Sequence, residues 1–179
     1  MTASLLGAAA PGFDRPLAVL EACHGRIVKQ CDTLEKLLAH LPEHGADIQA
    51  QQAARAVLAY FDTAAVHHHD DEERNLFPLL EQAGAAGACE LVEALTLEHD
   101  ELALLWRRLR GELQQIEAGA AAVLDAAVVR RFIAMNRTHL EFENTHVLPL
   151  ARQVLGTADI ERLGRAMAAR RGVPYEGRL

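Results

Sequence analysis

Apolar residues recur three and four positions apart through most of the chain, the period of a helix with one buried face. The first stripe runs Leu17, Leu20, Ile27, Val28, Leu34, Leu37, Leu38, Leu41. Similar stripes predict further helices over roughly 47–83, 87–117 and 121–155. The breaks between them carry stop signals: Leu41-Pro42 with Gly45, Gly84, Ala118-Gly119 and Gly156. Asp14-Arg15-Pro16 reads as the first helix start, with Asp14 as the cap and Pro16 in the first turn. Thr157 is expected to cap a short fifth helix reaching about Arg171, closed by Gly172 and Pro174. Pro78 and Pro149 fall inside the second and fourth helices and should kink them or loosen their last turns.

Four long helices joined by short loops predict an all-α, antiparallel up-and-down four-helix bundle with a short C-terminal fifth helix. The expected segments are a flexible stretch over 1–13, the bundle over 14–155, and the short helix with its tail over 156–179.

One stretch breaks the apolar pattern. His67-His68-His69-Asp70-Asp71-Glu72-Glu73 is too polar for a core face and rich in metal-ligating atoms. A relative of it recurs as His139-Leu140-Glu141-Phe142-Glu143-Asn144-Thr145-His146. In the predicted bundle Glu72 and His99 each lie about a dozen residues from the turn near residue 85, or roughly 20 Å at ~1.5 Å per residue. His99 and His139 lie about equally far from the turn near residue 120, and His24 and His68 about equally far from the first loop. One histidine per helix, His24, His68, His99 and His139, therefore falls at one depth.

Aligning Pro78 with Pro149 pairs His68 with His139 and Glu72 with Glu143, giving His-x-x-x-Glu twice. Residues four apart share a helix face, so each pair can address one centre. His69 and Glu73 are rotated about 100° away and are expected to face a neighbouring helix or water, with Glu73 and Glu98 as outer partners of ligand imidazoles. Asp70, Asp71 and Arg74 are expected on a solvated face. His146, three residues after Glu143, is expected on the ligand face, lining the pocket rather than ligating. Val28, Cys31, Phe61, Ala64, Ala103, Trp106, Phe132 and Met135 are expected to form a dry layer beside the site. Four imidazoles and two carboxylates exceed one tetrahedral zinc and suit two cations, iron or manganese, with zinc also admitted.

The set resembles the hemerythrin-like (HHE cation-binding) family: His24, then His68-His69-x-x-Glu72-Glu73-x-x-Leu76-Phe77-Pro78, then Glu98-His99, then His139-x-x-x-Glu143 with Val147-Leu148-Pro149. The resemblance covers about residues 14–155. It implies a carboxylate-bridged di-iron centre, two Fe ions with Mn or Zn as substitutes, held by His24, His68, Glu72, His99, His139 and Glu143. Oxygen-carrying members have a second histidine on the third helix, where this chain has Leu95. Two octahedral cations offer about twelve positions; two bridging carboxylates, one small bridge and four imidazoles leave about two open. The implied function is a protein that binds or reacts with O2, peroxide or NO as a sensor or scavenger rather than an O2 carrier, with peroxidase- or catalase-like turnover one form of it. The alternative is iron storage, delivery or iron–sulfur repair without turnover. A ferritin-like oxidase fits less well, because only Glu143-x-x-His146 supplies its Glu-x-x-His motif.

Composition narrows the partners. A formal net charge of −7 gives no nucleic-acid footprint. No apolar run reaches the length of a membrane span, and Met1 to Gly12 lacks the basic start of a signal peptide. Three cysteines, with no C-x-x-C, favour a reduced, cytoplasmic setting.

Overall fold

The structure, a computed structural model, describes residues 11–177. The first ten residues of the stretch expected to be flexible lie outside the described residues. All regular structure among the described residues is helical. The elements are α1 (Pro16–His44), α2 (Ile48–Phe61), α3 (Ala64–Asp71), α4 (Phe77–Gln82), α5 (Ala88–Glu117), α6 (Ala126–Phe142), α7 (Leu148–Val154) and α8 (Thr157–Arg170). A π-helical turn joins α3 to α4 over Glu72–Leu76, and another joins α6 to α7 over Glu143–Val147. α1 packs on α2, α2 on α5, α5 on α6 and α6 on α1, which closes a helical bundle.

The termini of these helices differ from the sequence reading in ways local chemistry explains. Arg15, not Asp14, holds the α1 cap position, with no side-chain cap bond; Pro16 lacks one of the N–H groups a cap would satisfy. α1 also runs past Leu41-Pro42 to His44. Pro42 sits in the last turn, and the Gly45 N–H still donates to the Leu41 carbonyl at 2.9 Å. Gly45, with φ of 65°, then turns the chain where a side chain would be strained.

The second helix is broken at Asp62-Thr63 rather than continuous. The Thr63 hydroxyl donates to the Ala59 carbonyl at 2.6 Å, and the Thr63 N–H turns to Tyr60 instead. This is the competition that makes threonine a poor helix-interior residue. Trp106 Nε1–H and the Arg110 guanidinium of α5 hold Asp62 at this break.

The fourth long helix starts at Ala126, not near residue 121, because the Asp125 carboxylate caps it by accepting from the Ala127 and Val128 N–H groups. Thr157 is the first helical residue of α8 and not its cap. Gly156 holds the cap position, its N–H donating to the Asp159 carboxylate.

The two prolines act as widened turns. The Phe77 N–H donates to Glu72 and the Leu148 N–H to Glu143, each five residues back. A proline after a regular turn would clash with the carbonyl four residues earlier. One extra residue in the turn moves that carbonyl aside, so Pro78 and Pro149 start α4 and α7 without ending the rods.

Two apolar clusters fill the interior. One joins α1, α2, α5 and α6 through Ile27, Leu34, Val57, Leu109, Ile116 and Phe132. The other joins the start of α1 to α4, the start of α5, α7 and α8 through Leu20, Phe77, Leu80, Leu95, Leu148 and Met167. Between them lies a buried polar layer.

Candidate metal centre

That polar layer is built from His24 on α1, His68 at the end of α3, Glu72 in the first π turn, His99 on α5, His139 near the end of α6 and Glu143 in the second π turn. All six are buried. The structure therefore brings together every residue of the set read from the sequence. Each π turn begins at the carboxylate, a placement typical of functional sites.

The atoms fall into two groups. The ligand-type atoms of His24, His68, Glu72 and Glu143 lie within 4.8 Å of one another, and so do those of His69, His99 and His139. Glu72 turns Oε1 toward His68 Nε2 (3.4 Å) and His24 Nε2 (3.8 Å), and Oε2 toward His99 Nε2 (3.7 Å). Glu143 does the reverse, with Oε2 toward His24 Nε2 (3.3 Å) and Oε1 toward His139 Nε2 (3.4 Å). Each carboxylate thus offers one oxygen to each group.

His69 was expected to face a neighbouring helix or water, and it faces the neighbouring helix α5. Its ring stacks on His99 at 3.9 Å between centroids and 10° between planes, within the second group. The 100° rotation that separates it from His68 on α3 carries it not to solvent but to the α5 side of the same centre. Neighbouring histidines of one helix reach different groups because the centre is extended across the bundle.

Outer partners orient the imidazoles from their Nδ1 side. His99 meets Glu73 Oε1 at 2.7 Å, His139 meets Glu98 Oε2 at 2.7 Å, and His24 meets Asn144 Oδ1 at 2.7 Å. Glu73 and Glu98 thus take the outer positions expected of them. Each such contact fixes a ring and leaves Nε2 for the centre.

Other expectations change. Asp71 is fully buried, not solvated; the Arg170 and Arg171 guanidinium groups of α8 both donate to it, and Arg170 also donates to Asn75 Oδ1 at 2.7 Å. His146 is exposed and stacks on Phe142 at 4.5 Å instead of lining the pocket. The wide turn that starts at Glu143 spoils the i, i+3 relation, which holds only in a regular helix. Of the expected dry layer, Phe61, Trp106 and Phe132, with the exposed Ala103 at the edge, line a mostly apolar cavity of about 80 Å³ that also meets Ile27, Ala65 and His69, whereas Val28, Cys31 and Met135 pack elsewhere in the core. Ala65 takes the wall position expected of Ala64.

Burial dominates the electrostatics. It drives the His68 and His69 imidazoles well below their usual value, and His24 below its own, so these rings are neutral bases. Burial and then the Glu143 charge push the Glu72 carboxyl well above its usual range. For Glu143 burial pulls the same way, but the hydrogen bond and charge of His139 outweigh it and hold the carboxyl low. His139 is raised in return: burial opposes its charge, and Glu143 overcomes that.

The donor set fits a cation. His24 Nε2, His68 Nε2, Glu72 Oε2 and both oxygens of Glu143 are buried without a hydrogen-bond partner. Orphaned buried polar atoms are costly, and here they converge on shared points. A helical bundle with such a cluster at its centre is the build of a metal-binding protein. The Hemerythrin HHE cation binding domain matches residues 15–151, and the chain belongs to that family. Membership implies a helical, iron-type metal-binding protein. The chain is also similar to an uncharacterized protein of Haemophilus influenzae, 29% identical over 161 residues that make up 90% of this chain and 92% of that one. No helix among the described residues is long and apolar enough to cross a membrane.

Proposed function

We propose that the chain is a cytoplasmic, non-haem di-iron protein on an up-and-down four-helix bundle. His24 and His68 hold one iron, His69, His99 and His139 hold the other, and Glu72 and Glu143 bridge them. The observation that carries this reading is the straddling of the two groups by both carboxylates. Two irons would supply a redox pair able to exchange two electrons with a small oxidant. With His69 as a fifth imidazole, about one of the twelve positions remains open.

The ligand best matched to the site is O2, peroxide or NO. The apolar cavity beside His69, of about 80 Å³, admits a diatomic molecule or peroxide. Reaction with it, as sensor or scavenger, is favoured over reversible carriage by the outer carboxylates. Glu73 and Glu98 place negative charge behind His99 and His139, which makes those imidazoles stronger donors and favours the oxidised metal.

The test is anaerobic purification, an iron count per chain, and optical spectra on adding O2, peroxide and NO. About two irons with new absorption on oxidation support the proposal. Less than one iron with full helicity counts against it, as does iron binding that survives Glu72→Ala combined with Glu143→Ala. Oxidation slow enough for stable O2 storage would replace the sensor reading with carriage.

A further inference from the structure

The segments that carry Glu72 and Glu143 correspond when Pro78 is set on Pro149. Each carboxylate opens a π turn, and the residue after it meets a ligand imidazole from outside, Glu73 with His99 and Asn144 with His24. The residues one before and three after the carboxylate differ. In the second segment they are Phe142 and His146, which are exposed and stack on each other. In the first they are Asp71 and Asn75, and α8 holds both. Arg170 spans the pair, its Nη1 donating to Asp71 Oδ1 and its Nη2 to Asn75 Oδ1 at 2.7 Å, while Arg171 donates to Asp71 Oδ2 at 2.7 Å. α8 is itself fixed in place. Leu163 and Met167 are fully buried in the second apolar cluster, and Gly164 lies so close to the start of the chain that a Cβ there would strike the Phe13 carbonyl.

We propose that α8 is a positioning clasp for Glu72 and that Arg170 is its key residue: by tying Asp71 to Asn75 across the first π turn, it fixes the direction in which the Glu72 carboxylate meets the cations. A single wide turn is a rare departure from the α-helix, and a ligand carried on one depends on supporting contacts to keep its geometry. A guanidinium suits that task, because its planar fork fixes both the separation and the angle of the two oxygens it binds. Arg170 bonds the neighbours of Glu72 and not Glu72 itself, so it acts through the turn. This role rests on the reading of the polar layer as a metal centre. It adds an inequality between the two carboxylates: α8 braces the turn of Glu72, whereas Asn144, Thr145 and His146 in the turn of Glu143 are open to water.

The test compares the full-length wild type with Asn75→Ala and Arg170→Ala. Both variants keep the Arg171–Asp71 ion pair, so no buried charge is left alone, and circular dichroism checks that each is folded. Amide hydrogen exchange of the metal-free proteins is expected to quicken over 72–76 in both variants and to stay as in the wild type over 143–147. Fe(II) affinity, measured without oxygen by competition with a chelator, is expected to fall by about tenfold in each, the scale of losing an outer support of a ligand. Arg170→Ala already removes the contact with Asn75, so adding Asn75→Ala to it should lower affinity no further. Leu113→Ala opens a cavity in the other apolar cluster, near the far end of α5. It is expected to lower the urea midpoint with no loss of iron affinity. Iron affinity or exchange over 72–76 left unchanged in the folded variants overturns the proposal, as does an equal loss of affinity in Leu113→Ala. If the wild type takes up no iron, the reading of the centre fails and the role of α8 with it. If the wild type binds iron and the variants bind it as tightly, the role of α8 alone fails.

Discussion

The His69 ring lies face to face with the His99 ring, 3.9 Å away, across the gap between α3 and α5. That contact places two consecutive histidines of one helix on opposite sides of the centre, His68 with His24 and His69 with His99 and His139. His69→Ala is expected to weaken metal binding on the His99–His139 side by at least about tenfold. Iron content should fall from about two per chain toward one, read by metal analysis of the purified variant. His67→Ala is the control, because His67 joins neither group, and its iron content should match the wild type.

Much of this site was legible in the sequence, for a physical reason. The period of a regular helix converts spacing into direction, so His68 with Glu72 and His139 with Glu143 could be read as pairs on one face. Depth in a bundle is also linear in residue number, which is how four histidines on four rods were matched. The parts that escaped depend on breaks in that regularity or on distant chain. For His69 the helix period gives a direction toward a neighbouring helix but not the stacking on His99 that it makes there. His146 was misdirected because nothing in Glu143-Asn144-Thr145-His146 announces a π turn. Asp71 was read as solvated because its partners, Arg170 and Arg171, come from α8 about a hundred residues later. A signal for the wide turns did exist: a proline six residues after each aligned glutamate, Pro78 after Glu72 and Pro149 after Glu143, inside rods that do not end there.

Asp71 gives a prediction of its own. A fully buried carboxylate one residue before Glu72 is held by two guanidinium groups of α8. Removing both, as Arg170→Ala with Arg171→Ala, leaves a buried charge without a partner. The expected cost is about 3–5 kcal/mol, measured as a lower urea midpoint of the metal-free protein. Asp71→Asn combined with the same two changes should recover part of that loss, since the uncompensated charge is then gone.

The cavity beside His69 should limit what reaches the centre. Ala103 is exposed at its edge, and the wall is formed by the buried Phe61 and Phe132 and the half-buried Trp106. Ala103→Leu adds bulk at the mouth and touches none of the ligand imidazoles. It is expected to slow the reaction with NO or peroxide by about tenfold, a barrier change of about 1.4 kcal/mol, with iron content unchanged. Stopped-flow optical traces measure the rate. An unaltered rate would show that the small molecule enters elsewhere.

The three thiols should separate cleanly. Cys89 is exposed, whereas Cys23 and Cys31 are buried. Burial pushes the Cys31 thiol up to about 12, so at pH 8 its thiolate fraction is on the order of one part in ten thousand. Titration of the native protein with an aromatic disulfide reagent is expected to show one fast thiol per chain, lost in Cys89→Ser. The other two should appear only on unfolding.

Loading the centre should release protons, and the pKa directions say from where. His24, His68 and His69 are held low, so near neutral pH they are already free bases and give up nothing. Glu72 is held well above its usual value by burial and by Glu143, and His139 is raised by Glu143 against its own burial. Both hold their protons to higher pH than the free groups do, so a cation competes with protons at these two positions and metal affinity is expected to rise with pH. The sign for stability follows from the same shifts. The raised Glu72 value stabilises the metal-free fold at low pH, and this contribution fades as pH rises from 4.5 through the raised value. The lowered imidazoles work the other way: their contribution is full above 6.5 and fades as pH falls below it. The metal-free protein is therefore squeezed from both sides, while the loaded protein gains stability from cation binding as pH rises. Calorimetric loading in two buffers of different ionisation enthalpy at pH 7 measures the protons released. A release of zero would mean that neither Glu72 nor His139 holds a proton in the empty centre, contrary to the raised values of both.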